Sequence, residues 1–497
     1  MRGDEEVTSL ETGQVIHGAV TLEYVPVESF ADEVAAGIAS GSRFAGLLGI
    51  PSSSVGKTIS AVMAHPSGMY TLTSIECARG RSYPSLTGVV STADWYEHKL
   101  AEQCHVFATG HHMVKDLFLT GWNTPRSARS ATGEGLFTFY YGPVRSGIYE
   151  SVGYELCTPG EDLPLLVVHP GYKHRGIERS MTGRKFDEAV RVAERVEGVG
   201  SVAHAITYCL AVESVASITI PPRAGLLRLV HAELERIADH VKVAVMLAEA
   251  AGLAVAYARF SYELELVQQL RGTLSGSRFS RGVVVPGGVA APPRCSPEDA
   301  MKRAAYIRQL LYEDASEAMS TPSFIDRIRH AGVLDAEMAC RQGAVGLLAR
   351  GATPGTDVRS SGAMPLAEAY IQAGYRGERS ATGGDGLARQ QIRWEEVWDS
   401  FFMVDHALGL LSETGLDGSW REPLPPLSGL GFGVFESPQG ECMYLVEIQD
   451  GILTGCNIRP ASFHNLQIFP LIFNGDIFTD FAFNEASLEI SPAGAAL

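Results

Sequence analysis

Acids, imidazoles and guanidinium groups crowd one stretch of this chain, between His169 and Glu213. It reads His174-Arg175-Gly176-Ile177-Glu178-Arg179, then Arg195-Val196-Glu197-Gly198-Val199-Gly200-Ser201-Val202-Ala203-His204, then Ala211-Val212-Glu213. Farther on, Glu233, Arg236 and His240 recur at helical spacing and share one face of a helix. Taken singly, each piece reads as a surface ion pair or a capped helix end. Their succession in one order is what carries information.

Nucleotide and metal chemistry leave less trace. Pro51-Ser52-Ser53-Ser54-Val55-Gly56-Lys57-Thr58 approaches the phosphate loop Gly-x4-Gly-Lys-Thr, but proline stands at the first glycine and a strand pattern follows. Without a helix N-terminus behind it, such a loop has no anion cradle. No Gly-x-Gly-x-x-Gly follows a strand, so the chain is not expected to bind NAD itself. Cysteines stand at 77, 104, 157, 209, 295, 340, 442 and 456, and none forms a Cys-x-x-Cys pair. They read as reduced, mostly buried thiols.

The elements that must position these residues follow from periodicity. Val20 to Val25 alternates as a strand, Ser29 to Ala39 reads as a helix capped by Ser29, and Thr58–Met63 and Met69–Cys77 read as strands joined at His65-Pro66-Ser67-Gly68. A polar linker with glycine follows, around Thr124 to Gly135. Leu136–Tyr141, Tyr149–Leu156 and Leu165–His169 then read as strands. Helices are expected at Lys185–Arg195, Val202–Val215, Arg223–Leu253, Tyr262–Leu274, Pro297–Met319 and Gln390–Glu413. Residues 430–458 return to strand patterns with a turn at Asp450-Gly451. The expected fold class is α+β. A small α/β domain (1–125) and a linker (126–140) precede a mainly helical domain (141–497) with β elements at both ends.

The acidic and basic block, with Pro221-Pro222-Arg223-Ala224, Pro286-Gly287-Gly288-Val289, Val358-Arg359-Ser360-Ser361-Gly362, Glu436-Ser437-Pro438-Gln439-Gly440-Glu441 and Arg459-Pro460-Ala461-Ser462-Phe463-His464-Asn465-Leu466, resembles a known family. It is that of the large subunits of energy-converting, formate-hydrogenlyase-type nickel–iron hydrogenases and the related quinone-site subunit of complex I. The resemblance covers residues 140–490. Tyr83-Pro84-Ser85-Leu86, Trp95-Tyr96-Glu97 and Asp116-Leu117-Phe118 more weakly resemble the 30-kilodalton-type subunit of complex I, which formate-hydrogenlyase-type proteins carry fused in this order.

The departures from that family are specific. Hydrogenases hold nickel and iron with two Cys-x-x-Cys pairs, because those metals take soft thiolate donors. By the resemblance the first pair falls on Glu197 and Gly200 and the second on Ser491 and Gly494, and the family's active-site arginine falls on Gln439. No metal ligand is therefore expected, and nickel–iron chemistry is not. The complex I pair, a tyrosine and a histidine, falls on Gly198 and Arg145, so the familiar quinone site is also incomplete. The resemblance leaves Arg145, His174 and Arg195 as substrate-binding candidates in the cavity. Glu178, Glu197 and His204 are the catalytic candidates, suited to relaying protons because burial and neighbouring cations tune carboxylates in opposite directions. A structural ion-pair network is the competing reading of the same residues.

Bulk properties bound the remainder. A net charge of −17 repels phosphate backbones, so no nucleic acid is expected. The acidic start lacks the pattern of a signal peptide, and no run of about 18 apolar residues is present to span a bilayer. Val241 to Tyr257, the most apolar candidate, reads as a buried bundle helix. The resemblance then implies a cytoplasmic chain, peripheral on the cytoplasmic face of the membrane through partners. No cofactor is expected in the chain itself. An iron–sulfur cluster would sit in a small partner subunit, with antiporter-like membrane subunits beyond and a quinone or another small molecule as acceptor. Either the chain transfers electrons in an oxidoreductase complex, or it is a catalytically silent scaffold joining the iron–sulfur subunit to the membrane arm. A carbon-dioxide- or ion-handling complex built from the same parts is a third reading.

Overall fold

Period-two alternation near the N-terminus becomes a mixed sheet in the computed structural model. The structure describes residues 14–16, 20–50, 57–78, 80–111, 117–118, 135–145, 150–355, 357–361, 366–473 and 475–497. Strands β1 (Gln14–Ile16), β2 (Val20–Tyr24), β3 (Arg43–Ile50), β4 (Lys57–Ala64) and β5 (Tyr70–Cys77) lie in the order β1-β2-β5-β4-β3. Only the β2–β5 pairing is parallel. Helix α1 (Phe30–Ala39) starts where expected, but the Ser29 hydroxyl donates to the Pro26 carbonyl and does not cap it. A 3-10 turn over Val27–Ser29 runs straight into the helix and already places Ser29 in helical geometry. Short strands β6 (Ser82–Pro84) and β7 (Phe107–Thr109) pair in parallel on either side of α2 (Ala93–Cys104). Of the loop that resembles a phosphate cradle, Pro51–Gly56 lies outside the described residues, while Lys57 and Thr58 open β4, not a helix. The expected linker likewise lies mostly outside them.

The larger part begins with the antiparallel strands β8 (Phe137–Tyr141), β9 (Gly153–Thr158) and β10 (Leu165–His169). Helices α3 (Ile177–Met181), α4 (Phe186–Ala193), α5 (Ser201–Ala216), α6 (Pro222–Ala250) and α7 (Ala254–Ser275) follow. After the two-residue strands β11 (Val284–Val285) and β12 (Gly288–Val289) come α8 (Pro297–Met319) and the short helices α9 (Pro322–Ile328), α10 (Ala336–Gln342), α11 (Gly346–Arg350) and α12 (Ala367–Gln372). Long helix α13 (Gly386–Thr414) leads into an antiparallel sheet of β13 (Gly429–Ser437), β14 (Gly440–Gln449) and β15 (Ile452–Arg459), turning at Asp450-Gly451 as expected. Helices α14 (Ala461–Ile468), α15 (Phe481–Leu488) and α16 (Pro492–Ala496) close the chain.

Local chemistry sets several of these boundaries. Ser296 and Asp385 cap α8 and α13 by accepting from the backbone N–H groups of Asp299 and Ala388. The apolar run Val241–Tyr257 is not one helix. It breaks between α6 and α7, where Gly252 takes φ +69°. Strand β13 lies on the backbone of α5 because it carries Gly431 and Gly433. A Cβ at either would meet a carbonyl oxygen, Ala211 at 2.1 Å or Thr207 at 2.2 Å.

The N-terminal sheet is clasped on both sides. One face takes α1 and α2 through Phe30, Val34, Leu47 and Leu100, while Leu22, Leu48 and Ile50 join the core of the helical part. Polar groups lock the joint. Buried Lys99 of α2 donates to Glu178 at 2.7 Å and to the Ile458 carbonyl at 2.8 Å. Glu441 of β14 accepts from Arg43 at 2.7 Å and from Tyr70 at 2.6 Å.

At the centre of the helical part the charged motifs meet. The sequence alone reads Glu233 and Arg236 as part of a surface ion pair or a capped helix end, yet both are buried, together with Arg350, Asp357, Arg359, Glu396 and Glu436. Arg350 reaches Glu396 at 2.6 Å, Glu436 at 2.8 Å and Asp357 at 3.2 Å. Arg359 bonds Asp357 at 2.7 Å and Glu396 at 3.0 Å, and His240 bonds Glu396 at 2.8 Å. Burial alone would raise Glu396, but Arg350 and Arg359 hold it well below the usual carboxylate range. Removing one partner of such a set leaves buried charge unpaired. Arg350→Met is expected to cost about 3–5 kcal/mol in urea denaturation. Arg259→Ala, at an exposed pair, should leave the midpoint where it was; equal effects would mean the buried network holds nothing together.

Candidate functional site

Two pairs of positions far apart in the chain converge between the start of α5 and the C-terminal helix. Glu197 and Gly200 precede α5, while Ser491 caps α16 and Gly494 lies within it. The buried Glu197 carboxylate stands between the two glycines. A Cβ at Gly200 would lie 2.5 Å from its Oε1, and one at Gly494 would lie 2.3 Å from its Oε2. A Cβ at Gly494 would also come within 3.5 Å of the Ser491 Cβ. The four positions that the family resemblance assigns to thiolates are thus neighbours in space, and one carboxylate fills the volume between them.

The motif His174-Arg175-Gly176 builds this convergence. His174 Nδ1 bonds the Ala496 carbonyl at 2.8 Å, and its ring stacks on Phe118 at 5.1 Å between centroids. Arg175 donates to Arg195 O at 2.9 Å, to Val196 O and to Ala493 O at 3.3 Å, tying the Glu197 loop to α16. Its backbone N–H bonds Leu497 O at 2.8 Å. From the other side Glu150 accepts from Ser491 Oγ at 3.1 Å and from Ala493 N at 2.6 Å.

Glu197 has one engaged oxygen. Oε1 accepts from His204 Nε2 at 3.2 Å, and Oε2 is buried without a hydrogen-bond partner among the described residues. His204 Nδ1 contacts Tyr444 Oη at 2.8 Å and Cys442 Sγ at 3.7 Å. Burial pulls the His204 imidazole down, but Cys442 and the Glu197 carboxylate outweigh it and push it up to about 10. Burial pushes the Tyr444 phenol well above its ordinary range. Glu197, His204 and Tyr444 form a buried acid–base row able to hold and pass a proton, with the open Oε2 as its free end.

Nickel and iron do not fit this site. The donor set is one carboxylate, one serine hydroxyl and two residues without side-chain donors, where those metals take thiolates. The serine is spoken for as a helix cap and as a donor to Glu150. The carboxylate already occupies the space that cysteine side chains at Gly200 and Gly494 would enter.

The other candidates go elsewhere. Glu178 is clamped in the joint with the N-terminal sheet, accepting from Lys99, from Gln103 at 2.5 Å and from Ile458 N at 2.6 Å. Arg145 forks onto Glu485 at 2.7 and 2.9 Å and lies over the Tyr141 and Tyr154 rings. Burial would lower Arg145, but Glu485 outweighs it and raises the guanidinium. Arg195 is half-exposed and faces a surface groove of about 420 Å³ with Arg175, Arg184 and Arg191. Gly198 is exposed, with open space where a side chain would stand. Gln439, at the family's arginine position, is buried beside Ser437. Sequence reasoning missed Arg175, Glu150, Cys442 and Tyr444 as parts of the site. Arg175 was visible inside its motif; Tyr444 and Cys442 are ordinary strand residues that only the packing of β14 on α5 brings to His204.

Residues 253–426 match the family of the respiratory-chain NADH dehydrogenase 49 Kd subunit, and residues 175–245 match the nickel-dependent hydrogenases. The chain is 28% identical to the carbon monoxide-induced hydrogenase of Rhodospirillum rubrum over 320 residues, 63% of this chain and 85% of that one. It is 27% identical to the membrane-bound hydrogenase subunit alpha of Pyrococcus furiosus, over 70% of this chain and 84% of that one. It is also 27% identical to NADH-quinone oxidoreductase subunit 4 of Thermus thermophilus, over 73% and 95%. Among solved structures, a chain of the membrane-bound sulfane sulfur reductase, an archaeal respiratory membrane complex, superposes with a TM-score of 0.67. It is 20% identical, over 74% of this chain and all of that one, and shares the fold.

Two measurements test the geometry. Gly494→Ala should destabilise by about 1–3 kcal/mol through overpacking against Glu197. In a Glu197→Ala background the same change should be neutral or stabilising, since alanine is otherwise the better helix residue. Additive effects in urea denaturation would mean that the carboxylate does not fill that space. His204 carries a raised pKa in the folded chain, so its contribution is complete below its ordinary 6.5 and lost as pH rises through about 10. His204→Gln should remove that loss of stability from a pH series between those limits; an unchanged slope would contradict the paired imidazole.

Proposed function

From its relationship to the 49 Kd-type subunits of respiratory NADH dehydrogenases and to the nickel-dependent hydrogenases, we propose that this chain is the large subunit of a membrane-associated oxidoreductase complex that works without a nickel–iron centre. One observation carries the second half of this reading. The Glu197 carboxylate stands where metal-binding thiolates would have to reach, and it is wired to His204 and Tyr444. Glu197 and His204 supply or accept protons beside a small acceptor, and electrons come from an iron–sulfur cluster in a small partner subunit. With a quinone as acceptor, two electrons from that cluster and two protons yield the quinol. Residues 1–125 act as the docking module and 141–497 as the subunit body. Among the described residues no helix is long and apolar enough to cross a membrane, so the membrane association assigned here runs through partner subunits.

A silent scaffold is the second reading, and one feature favours it. Glu178 and Arg145 are both consumed by ion pairs, leaving fewer groups free for chemistry. The purified complex separates the two. X-ray absorption at the nickel edge should find no thiolate-bound nickel; a stoichiometric amount of it would overturn the metal-free reading. Glu197→Gln and His204→Ala should each lower reduction of a soluble quinone analogue at least tenfold while the complex stays assembled. Activity indifferent to both substitutions would leave the scaffold standing.

A further inference from the structure

Outside this site, the N-terminal module holds a second cluster of metal-type ligands. Asp94 and His98 lie one helical turn apart on α2, and His111 follows β7. Each offers one ligand atom, and the three atoms lie within 4.8 Å of one another. His111 Nε2 stands 3.0 Å from Asp94 Oδ1, and the two imidazole rings meet edge to face with centroids 4.8 Å apart.

The orientation of His98 is what distinguishes this cluster from an ordinary polar patch. Its Nδ1 lies 2.8 Å from the Asp94 backbone carbonyl, which can only accept, so the proton sits on Nδ1. In the uncharged ring the lone pair is then on Nε2. That atom is buried without a hydrogen-bond partner among the described residues, on a residue only 8% exposed. A buried, unsatisfied acceptor is costly. A ring with one nitrogen fixed by a backbone carbonyl and the other left free is the arrangement found for metal-bound histidines. Glu97 adds a further carboxylate 3.8 Å from His111 Nε2, itself held by Leu86 N and Ser85 Oγ. Asp94 is half-exposed, which opens the cluster to ions from solution.

We propose that Asp94, His98 and His111 bind one divalent cation of the zinc class. Two imidazoles with one carboxylate suit zinc, cobalt or nickel and not magnesium or calcium, which take oxygen ligands. A solvent molecule completes the fourth position. The ion ties the chain after β7 to α2, the helix whose Lys99 and Gln103 grip Glu178 of the larger part. It therefore stiffens the joint between the two parts, at a distance from the proton row of the proposed site.

Cobalt(II) titration of the chelator-stripped, full-length chain tests this. One equivalent should bind with the visible d–d bands of a low-coordinate nitrogen–oxygen site, and zinc should displace it. His98→Gln and His111→Gln should each weaken binding at least tenfold and abolish the rise in melting temperature with zinc. Should His98→Gln fail to fold, Asp94→Asn at the half-exposed ligand carries the same expectation. Absence of binding at micromolar cobalt, sulfur-to-cobalt charge-transfer bands, or binding unchanged in Asp94→Asn and His111→Gln would each overturn the site.

Discussion

Buried charge organises this protein. Glu233, Asp357, Glu396 and Glu436 meet Arg236, Arg350 and Arg359 in a space closed to water, contributed by α6, α11, α13, β13 and the turn at Val358–Ser360. No one of these elements can bury its own charge, because an isolated ion inside a protein is prohibitively costly. They must therefore fold onto one another together. The carboxylates outnumber the guanidinium groups by one. The excess is relieved by neutral donors from Tyr370, Ser400 and His240, and by Glu436, which burial and Asp357 push up to about 7. Such a network resists piecemeal change, since the loss of one member strands the others.

The site between α5 and α16 rests on a frame of its own. The frame brings the start of α5 and the C-terminal helix to the same place, and Arg175 and Glu150 hold them there through backbone groups. None of those contacts depends on what stands at positions 197, 200, 491 and 494. Two glycines there remove side-chain volume and the Glu197 carboxylate takes it up. What stands there is a buried carboxylate–imidazole pair, a donor set of protons and not of soft thiolates.

The N-terminal sheet is part of the same body. Its inner face contributes Leu22, Leu48 and Ile50 to the main core, and its outer helix α2 reaches back through Lys99. Glu178 serves that joint. A residue that looks like an acid–base candidate beside Arg175 in sequence thus spends its hydrogen bonds on Lys99, Gln103 and Ile458 N and none on Glu197 or His204.

Much of the architecture was legible in the sequence. Periodicity placed α8 at Pro297–Met319 and the strands of residues 430–458 with their turn at Asp450-Gly451, because side-chain period and turn chemistry act locally. The family resemblance, resting on short motifs in fixed order, also pointed to Glu197, Gly200, Ser491 and Gly494 as one site. Three matters needed the tertiary structure. Helical spacing put Glu233, Arg236 and His240 on one face but could not say that the face is buried, since burial depends on α13 and β13 lying over it. The partners of His204, Tyr444 and Cys442, come from a strand more than two hundred residues away. The meaning of Glu197 itself was open until packing placed Gly494, from the far end of the chain, against it opposite the nearby Gly200. Residue types and local order were written in the chain; which groups lose their water, and against whom, was decided only when the folded segments met.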